Sequence, residues 1–383
     1  MGAVCVLATA AAACTFYTGK PDPPTPANGD TQSNGGKNGG GGGTENGEGA
    51  DGPVAGAAGN GDAPPPWTDA TGDLAGRSSA NGGVVYLAAR PTADLLVAGV
   101  AGLGLWGSTD GGVEWVGLGQ TGDSDLISHW VTSIVFDPED PDVFWETGIY
   151  GGGGVFKTVD GGVTTQQLGV GMVTHNDLVA VDFSDPERRT LLAGWHELEQ
   201  KVMRSQDGGE TWEDIGEPIP ESCGFSTDPL IIDAETYLVG CWAHIVRSED
   251  GGASWDIVSN AGGYGPPLVA ADGSIYWRIE GGYGLMRSDD QGSNWVRVAG
   301  PGVVMGPLLE LPDGRLASMN EKHVVISENQ GESWAEVGTE FPAKVAGVVY
   351  SAHQRAFFAW TGSEGNTITA ESLLRFDWDY EAE

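Results

Sequence analysis

The chain has 383 residues, of which 54 are acidic and 18 basic, giving a formal charge of −36. Such acidity repels nucleic-acid backbones and anionic lipid, which need basic patches, so no nucleic-acid partner is expected. Hydrophobic residues make up 40% of the sequence and glycines number 63, a balance that allows a sizeable core with many turns.

Residues 1–14 form a first unit. The apolar run 4–14 is too short to span a bilayer as a mature helix. It ends in Ala11-Ala12-Ala13-Cys14, which resembles a bacterial lipobox with Cys14 as the lipidated residue, although Ala11 stands where such boxes favour Leu. A plain secretory signal is the alternative, and both readings export the protein. The lipobox resemblance implies a lipoprotein at a bacterial outer membrane or cell surface, touching the membrane only through its N-terminal lipid. Residues 15–66 are dominated by Gly, Asn, Pro and Ala and lack apolar periodicity. They bury too little to offset chain entropy, so a disordered tether is expected.

Residues 67–383 carry the expected fold. The segment Ser-x-Asp-x-Gly-x-x-Trp recurs through it. Clean copies contain Asp110, Asp207, Asp250 and Asp290; Asp160 sits in a copy that has lost its Trp, and Asn329 replaces the Asp in the last. The copies start 50, 47, 43, 40 and 39 residues apart, a period typical of propellers and solenoids. Each lies between two apolar runs, as a hairpin turn does, with the Asp accepting backbone N–H groups and the Gly allowing positive φ. These aspartates are therefore structural. Working back from each copy gives four strands per unit, with first strands near 84–90, 131–137, 178–183 and 229–233. A seventh unit over 345–377 has three strands, and Trp67-Thr68-Asp69-Ala70-Thr71-Gly72 has the texture of the missing fourth, so residues 67–72 are expected to complete that blade. The expectation is an all-β, seven-bladed β-propeller of four-stranded antiparallel blades, closed by the N-terminal strand; six or eight blades are the alternative counts.

The repeat resembles the Asp-box, or BNR, repeat of sialidase-like β-propellers. That resemblance implies ligand binding on the face opposite the box turns, which the connections between strands 2 and 3 and between blades build. Those connections supply His129, Trp130, Tyr150, His175, Trp195, His196, Trp242, His244, Arg278, Tyr283 and His323, with carboxylates Asp125, Asp177, Glu197 and Glu280. Rings beside carboxylates and imidazoles suit a sugar or a peptide. The arginine motif that clamps the substrate carboxylate in sialidases is absent. The stretch Val131-Thr132-Ser133-Ile134-Val135-Phe136-Asp137-Pro138, with Gly151–Gly154 after it, is similar to repeats of xyloglucan-degrading tandem-propeller glycoside hydrolases and of the sortilin ectodomain. Those hydrolases work between two propellers, and this chain encodes one. The reading is a monomeric, non-catalytic module for a glycan or an extracytoplasmic protein. Glycoside hydrolysis through a pair among Asp125, Asp177, Glu197 and Glu280 is the alternative.

Residues 15–66 account for −4 of the charge, leaving −32 on the propeller. Solubility explains this excess better than surface Ca²⁺ binding, and no cofactor or metal is otherwise expected; a divalent ion shared by histidines of different blades is a minor alternative. Cys223 and Cys241 fall at one end of the fourth blade, and export favours oxidation, so a disulfide is expected over two free thiols.

Overall fold

A computed structural model describes residues 66–79, 82–119, 127–225, 227–282, 284–362 and 367–379. Cys14, Asp125, Tyr283 and the tether through residue 65 lie outside the described residues, as does the side chain of Glu280. Among the described residues, twenty-eight strands form seven separate four-stranded antiparallel sheets, and the protein is a seven-bladed β-propeller. Six blades are continuous in sequence, covering 84–118, 130–168, 179–214, 228–259, 263–299 and 309–337. The seventh combines Gly347–Ser351, Ala356–Trp360 and Leu373–Asp377 with Thr68–Asp69 from the other end of the domain.

Ring closure rests on a short strand with a large anchor. Thr68 pairs with Arg375 and Asp69 with Leu374. The Leu373 N–H donates to Thr71 Oγ1 at 3.0 Å, and the Ala70 N–H donates to the Leu373 carbonyl at 2.9 Å. Trp67 packs its ring 5.1 Å from Phe341 and 5.3 Å from Phe376 and donates Nε1–H to the Thr339 carbonyl. The ladder of blade seven would otherwise end in an open edge, the template for unwanted pairing.

The recurrent turns share one hydrogen-bond plan. Ser205 Oγ donates to Asp207 Oδ1 and accepts the Gly209 N–H, both at 2.8 Å. Asp207 Oδ1 also accepts the Thr211 N–H at 2.9 Å, and Trp212 Nε1–H reaches the Gly209 carbonyl at 2.9 Å. The bonds from Thr211, side chain first, hold the Asp207 carboxyl down at about 2. Gly209 has φ +98°, and a Cβ there would stand 2.6 Å from Leu168 of the preceding blade, so glycine is needed for both dihedral and space. Thr158 and Asp160 repeat the plan without a Trp, and Asn329 repeats it with an amide. Trp115, Trp212 and Trp255 are all buried; removing each ring from water contributes about 2–3 kcal/mol to its hairpin.

Neighbouring blades are joined on the turn face by arginines one residue before the turns. Arg204 donates to the Gly251 carbonyl at 2.5 Å, Arg247 to that of Gln291 at 3.2 Å, and Arg287 to Gln330 Oε1 at 2.5 Å. In each case the acceptor lies in the turn of the next blade. Arg188 makes a stronger, buried link: Nε and Nη2 grip both oxygens of Asp137 at 2.8 and 3.0 Å, and Nη2 also reaches Glu139. The fork geometry of this bidentate pair fixes blade two against blade three.

Turns between strands 1 and 2 share the face of the Ser-x-Asp turns. Backbone bonds from Gly161 to Asp142, Gly208 to Arg189 and Gly251 to Glu235 join the two kinds of turn. The other connections meet on the opposite face, through bonds from His196 to His175, Ala243 to Cys223 and Phe341 to Lys322. Cys223 and Cys241 form a disulfide there, with Cα atoms 5.6 Å apart.

Candidate functional site

On the face away from the turns, the segment 175–178 enters blade three and is laced to blade two and to its own blade. The Asn176 N–H donates to the Gly148 carbonyl, its Nδ2 to the Gly194 carbonyl, and its carbonyl accepts Thr132 Oγ1–H. Thr147 Oγ1 donates to the Asp177 carbonyl at 3.2 Å. These bonds aim the Asp177 carboxylate at His196, whose Nδ1 lies 2.9 and 3.1 Å from its two oxygens. The other ring nitrogen, Nε2, lies 3.2 Å from the Tyr150 hydroxyl and 3.9 Å from a Glu197 oxygen. Tyr150 meets His196 and His175 edge-on, with centroids 5.6 and 6.2 Å apart. The hydrogen bond to Asp177 raises the His196 pKa above its ordinary value, against the opposing effect of burial.

Three of the nine non-glycine residues with positive φ among the described residues belong to this cluster. Tyr150, His175 and Glu197 have φ of 58°, 57° and 53°. Non-glycine residues in this left-handed region cost free energy and concentrate at binding and catalytic sites. Tyr150 is 52% exposed, while His196 and Asp177 are half-buried. A half-exposed phenol backed by an imidazole that a carboxylate orients is a preorganised hydrogen-bonding group at the surface.

The remaining candidates have partners of their own. Trp242 packs its ring, tilted by 39°, 5.3 Å from Phe225, a residue the sequence reading missed although it follows Cys223 by two. His244 Nδ1 lies 3.3 Å from the Ser259 carbonyl, and His323 Nδ1 lies 3.4 Å from Glu336. Arg278 lies over Tyr264, with its Nη1 on the Met305 carbonyl, beside a cleft of about 290 Å³ between blades five and six. Trp195 carries the ammonium of Lys201 over its ring, and Trp130 is half-buried at the start of blade two.

His129 requires correction. Its connection lies on this face, but the side chain turns inward and is 1% exposed. Nε2 is 2.6 Å from Glu146 Oε1, and the ring stacks on Phe156 at 5.0 Å. The space for it comes from Gly148, where a Cβ would stand 1.8 Å from His129 Cδ2. Among the described residues no group of three or more His, Cys, Asp or Glu is arranged to hold a metal ion, and no helix is long and apolar enough to cross a membrane.

No family model and no curated protein matches the chain. Solved structures do. The GH74 enzyme of Niastella koreensis superposes with a TM-score of 0.57 at 14% identity, covering 80% of this chain and 44% of that one. YCF48 bound to D1 peptide gives 0.54 at 15% identity, covering 83% of this chain and 100% of that chain. The extracellular domain of a hybrid two component system from B. thetaiotaomicron gives 0.57 at 9%, covering 79% of this chain and 41% of its own. This chain therefore spans less than half of the GH74 enzyme and of the sensor domain. At these identities the likeness is one of fold.

Proposed function

We propose that this propeller is a non-catalytic binding module that takes a glycan on the face opposite its Ser-x-Asp turns, which we read as Asp-boxes of the BNR type. In this reading Cys14 carries a lipid that holds the exported monomer at a bacterial surface, and the tether 15–66 gives it reach. The observation that carries the proposal is the Asp177–His196–Tyr150 chain with its strained backbone. Hydroxyl, imidazole and carboxylate groups beside ring edges supply the directional bonds and apolar contact that a sugar needs.

The geometry disfavours hydrolysis at this cluster. A glycosidase needs two carboxyl groups about 5–10 Å apart with the scissile bond between them. Here Asp177 and Glu197 approach opposite nitrogens of one imidazole, which occupies the intervening space. The fold alone is compatible with both roles, since a GH74 enzyme and a sensor's extracellular domain share it.

The test is a glycan array with the purified chain, repeated with Tyr150→Phe and with Asp290→Asn on the opposite face. Hits lost in the first variant and kept in the second support the reading. Sugar release from any hit, abolished by Asp177→Asn or Glu197→Gln, would replace it with a hydrolase.

A further inference from the structure

His196 has a different partner on each ring nitrogen, and the two partners have unequal abilities. An ionised carboxylate only accepts hydrogen bonds, so the 2.9 Å contact with Asp177 requires a proton on Nδ1 in both charge states of the ring. Nε2 is then the atom that titrates. When the ring is neutral, Nε2 offers a lone pair, and the Tyr150 hydroxyl 3.2 Å away is placed to donate its hydrogen to it. The phenol oxygen then keeps its lone pairs for other neighbours. When the ring is charged, Nε2–H donates to the phenol oxygen, and the hydrogen of Tyr150 swings away from the imidazole.

We propose, resting on the reading of this face as the ligand site, that the charge on His196 sets the polarity of the Tyr150 hydroxyl. With His196 charged, Tyr150 presents a donor, suited to ring, acetal or carbonyl oxygens of a ligand. With His196 neutral, it presents an acceptor, suited to sugar hydroxyl hydrogens. Asp177 is the positioning residue, because it fixes which nitrogen titrates. Tyr150 is the residue that the ligand reads.

The groups facing the imidazole favour a changeover above the ordinary histidine range. Asp177 lies on the segment entering blade three, and Glu197 is on the same loop as His196, 3.9 Å from Nε2. Asp228, from the start of blade four, adds attraction at longer range. From blade two the ring meets the phenol of Tyr150, and the segment preceding Asp177 adds His175, exposed and edge-on to that phenol.

The test needs no ligand, so its failure is distinct from an empty glycan array. Protein labelled at tyrosine ¹³Cζ and histidine ¹⁵N is titrated from pH 5 to 9 (about 1.5 units below and 2.5 above an ordinary imidazole). Resonances are assigned by their loss in Tyr150→Phe and His196→Gln. The expected result is a neutral His196 protonated on Nδ1, and a step in the Tyr150 Cζ shift with the same midpoint as His196. The step disappears in His196→Gln, and the midpoint falls in Asp177→Asn. Should His196→Gln fail to fold, coincidence of the two wild-type midpoints still decides. A neutral ring protonated on Nε2, or a flat Tyr150 signal across the His196 transition, overturns the proposal.

Discussion

Removing Trp67 should loosen the whole ring, although it lies at the edge of the folded domain. Its indole contacts Phe341 and Phe376 and hydrogen-bonds Thr339, so it pins a strand with only two paired residues. Truncating a fully buried aromatic to alanine costs about 3–5 kcal/mol. Trp67 is half-buried, which lowers the estimate for Trp67→Ala to about 2–3 kcal/mol, including the lost bond to Thr339. A domain of this size loses about 2 °C of Tm per kcal/mol, so the transition should fall by about 4–6 °C. Thermal unfolding followed by circular dichroism measures this, and sedimentation at several concentrations shows whether the freed edge of blade seven self-associates. Deleting residues 1–71 should lower Tm further and promote association. A Trp67→Ala protein melting within about 1 °C of wild type would refute the latch.

Four other outcomes follow. Asp207→Ala should destabilise by about 1–2 kcal/mol at neutral pH, and Asp207→Asn by less, because Asn329 sustains the same turn with an amide. Since the folded carboxyl is lowered to about 2, its stabilisation is present above its unfolded value near 3.8 and disappears as pH falls through about 2; denaturation of wild type and Asp207→Asn across that range checks the sign. Reducing the Cys223–Cys241 bond, which closes 18 residues of chain, should cost about 3 kcal/mol, read from urea midpoints with and without reductant. Gly148→Ala should cost about 1–3 kcal/mol by driving a methyl into His129, whereas Gly300→Ala, with nothing within 4 Å of its Cβ, should be near neutral.

Blade order was legible because each unit carries a turn whose residues are chosen for local reasons: a capping hydroxyl, an accepting carboxylate, a glycine and an indole. Ring closure was legible because Trp67-Thr68-Asp69 keeps the texture of a fourth strand without a turn before it. Strand limits shifted by a residue or two, as with the strand Trp130–Phe136, since ladder bonds end where neighbouring strands end. The site was legible in part. Sorting by connection put Asp177, His196 and Tyr150 on one face, but their bonding depends on how two blades meet, which no local spacing encodes. The same sorting misled for His129, because a connection fixes where the backbone runs and Gly148 decided where the ring went. Arg188 gave no signal either: a single arginine in a polar turn looks solvated until Asp137 of the neighbouring blade is placed beside it.

Hydrogen exchange on the complex with a glycan found by the array tests the central claim most directly. Slowed exchange in 128–130, 150–153, 175–177 and 195–199, with the Ser-x-Asp turns unchanged, is the predicted footprint. Protection confined to those turns, or to the outer strands of the blades, would contradict it.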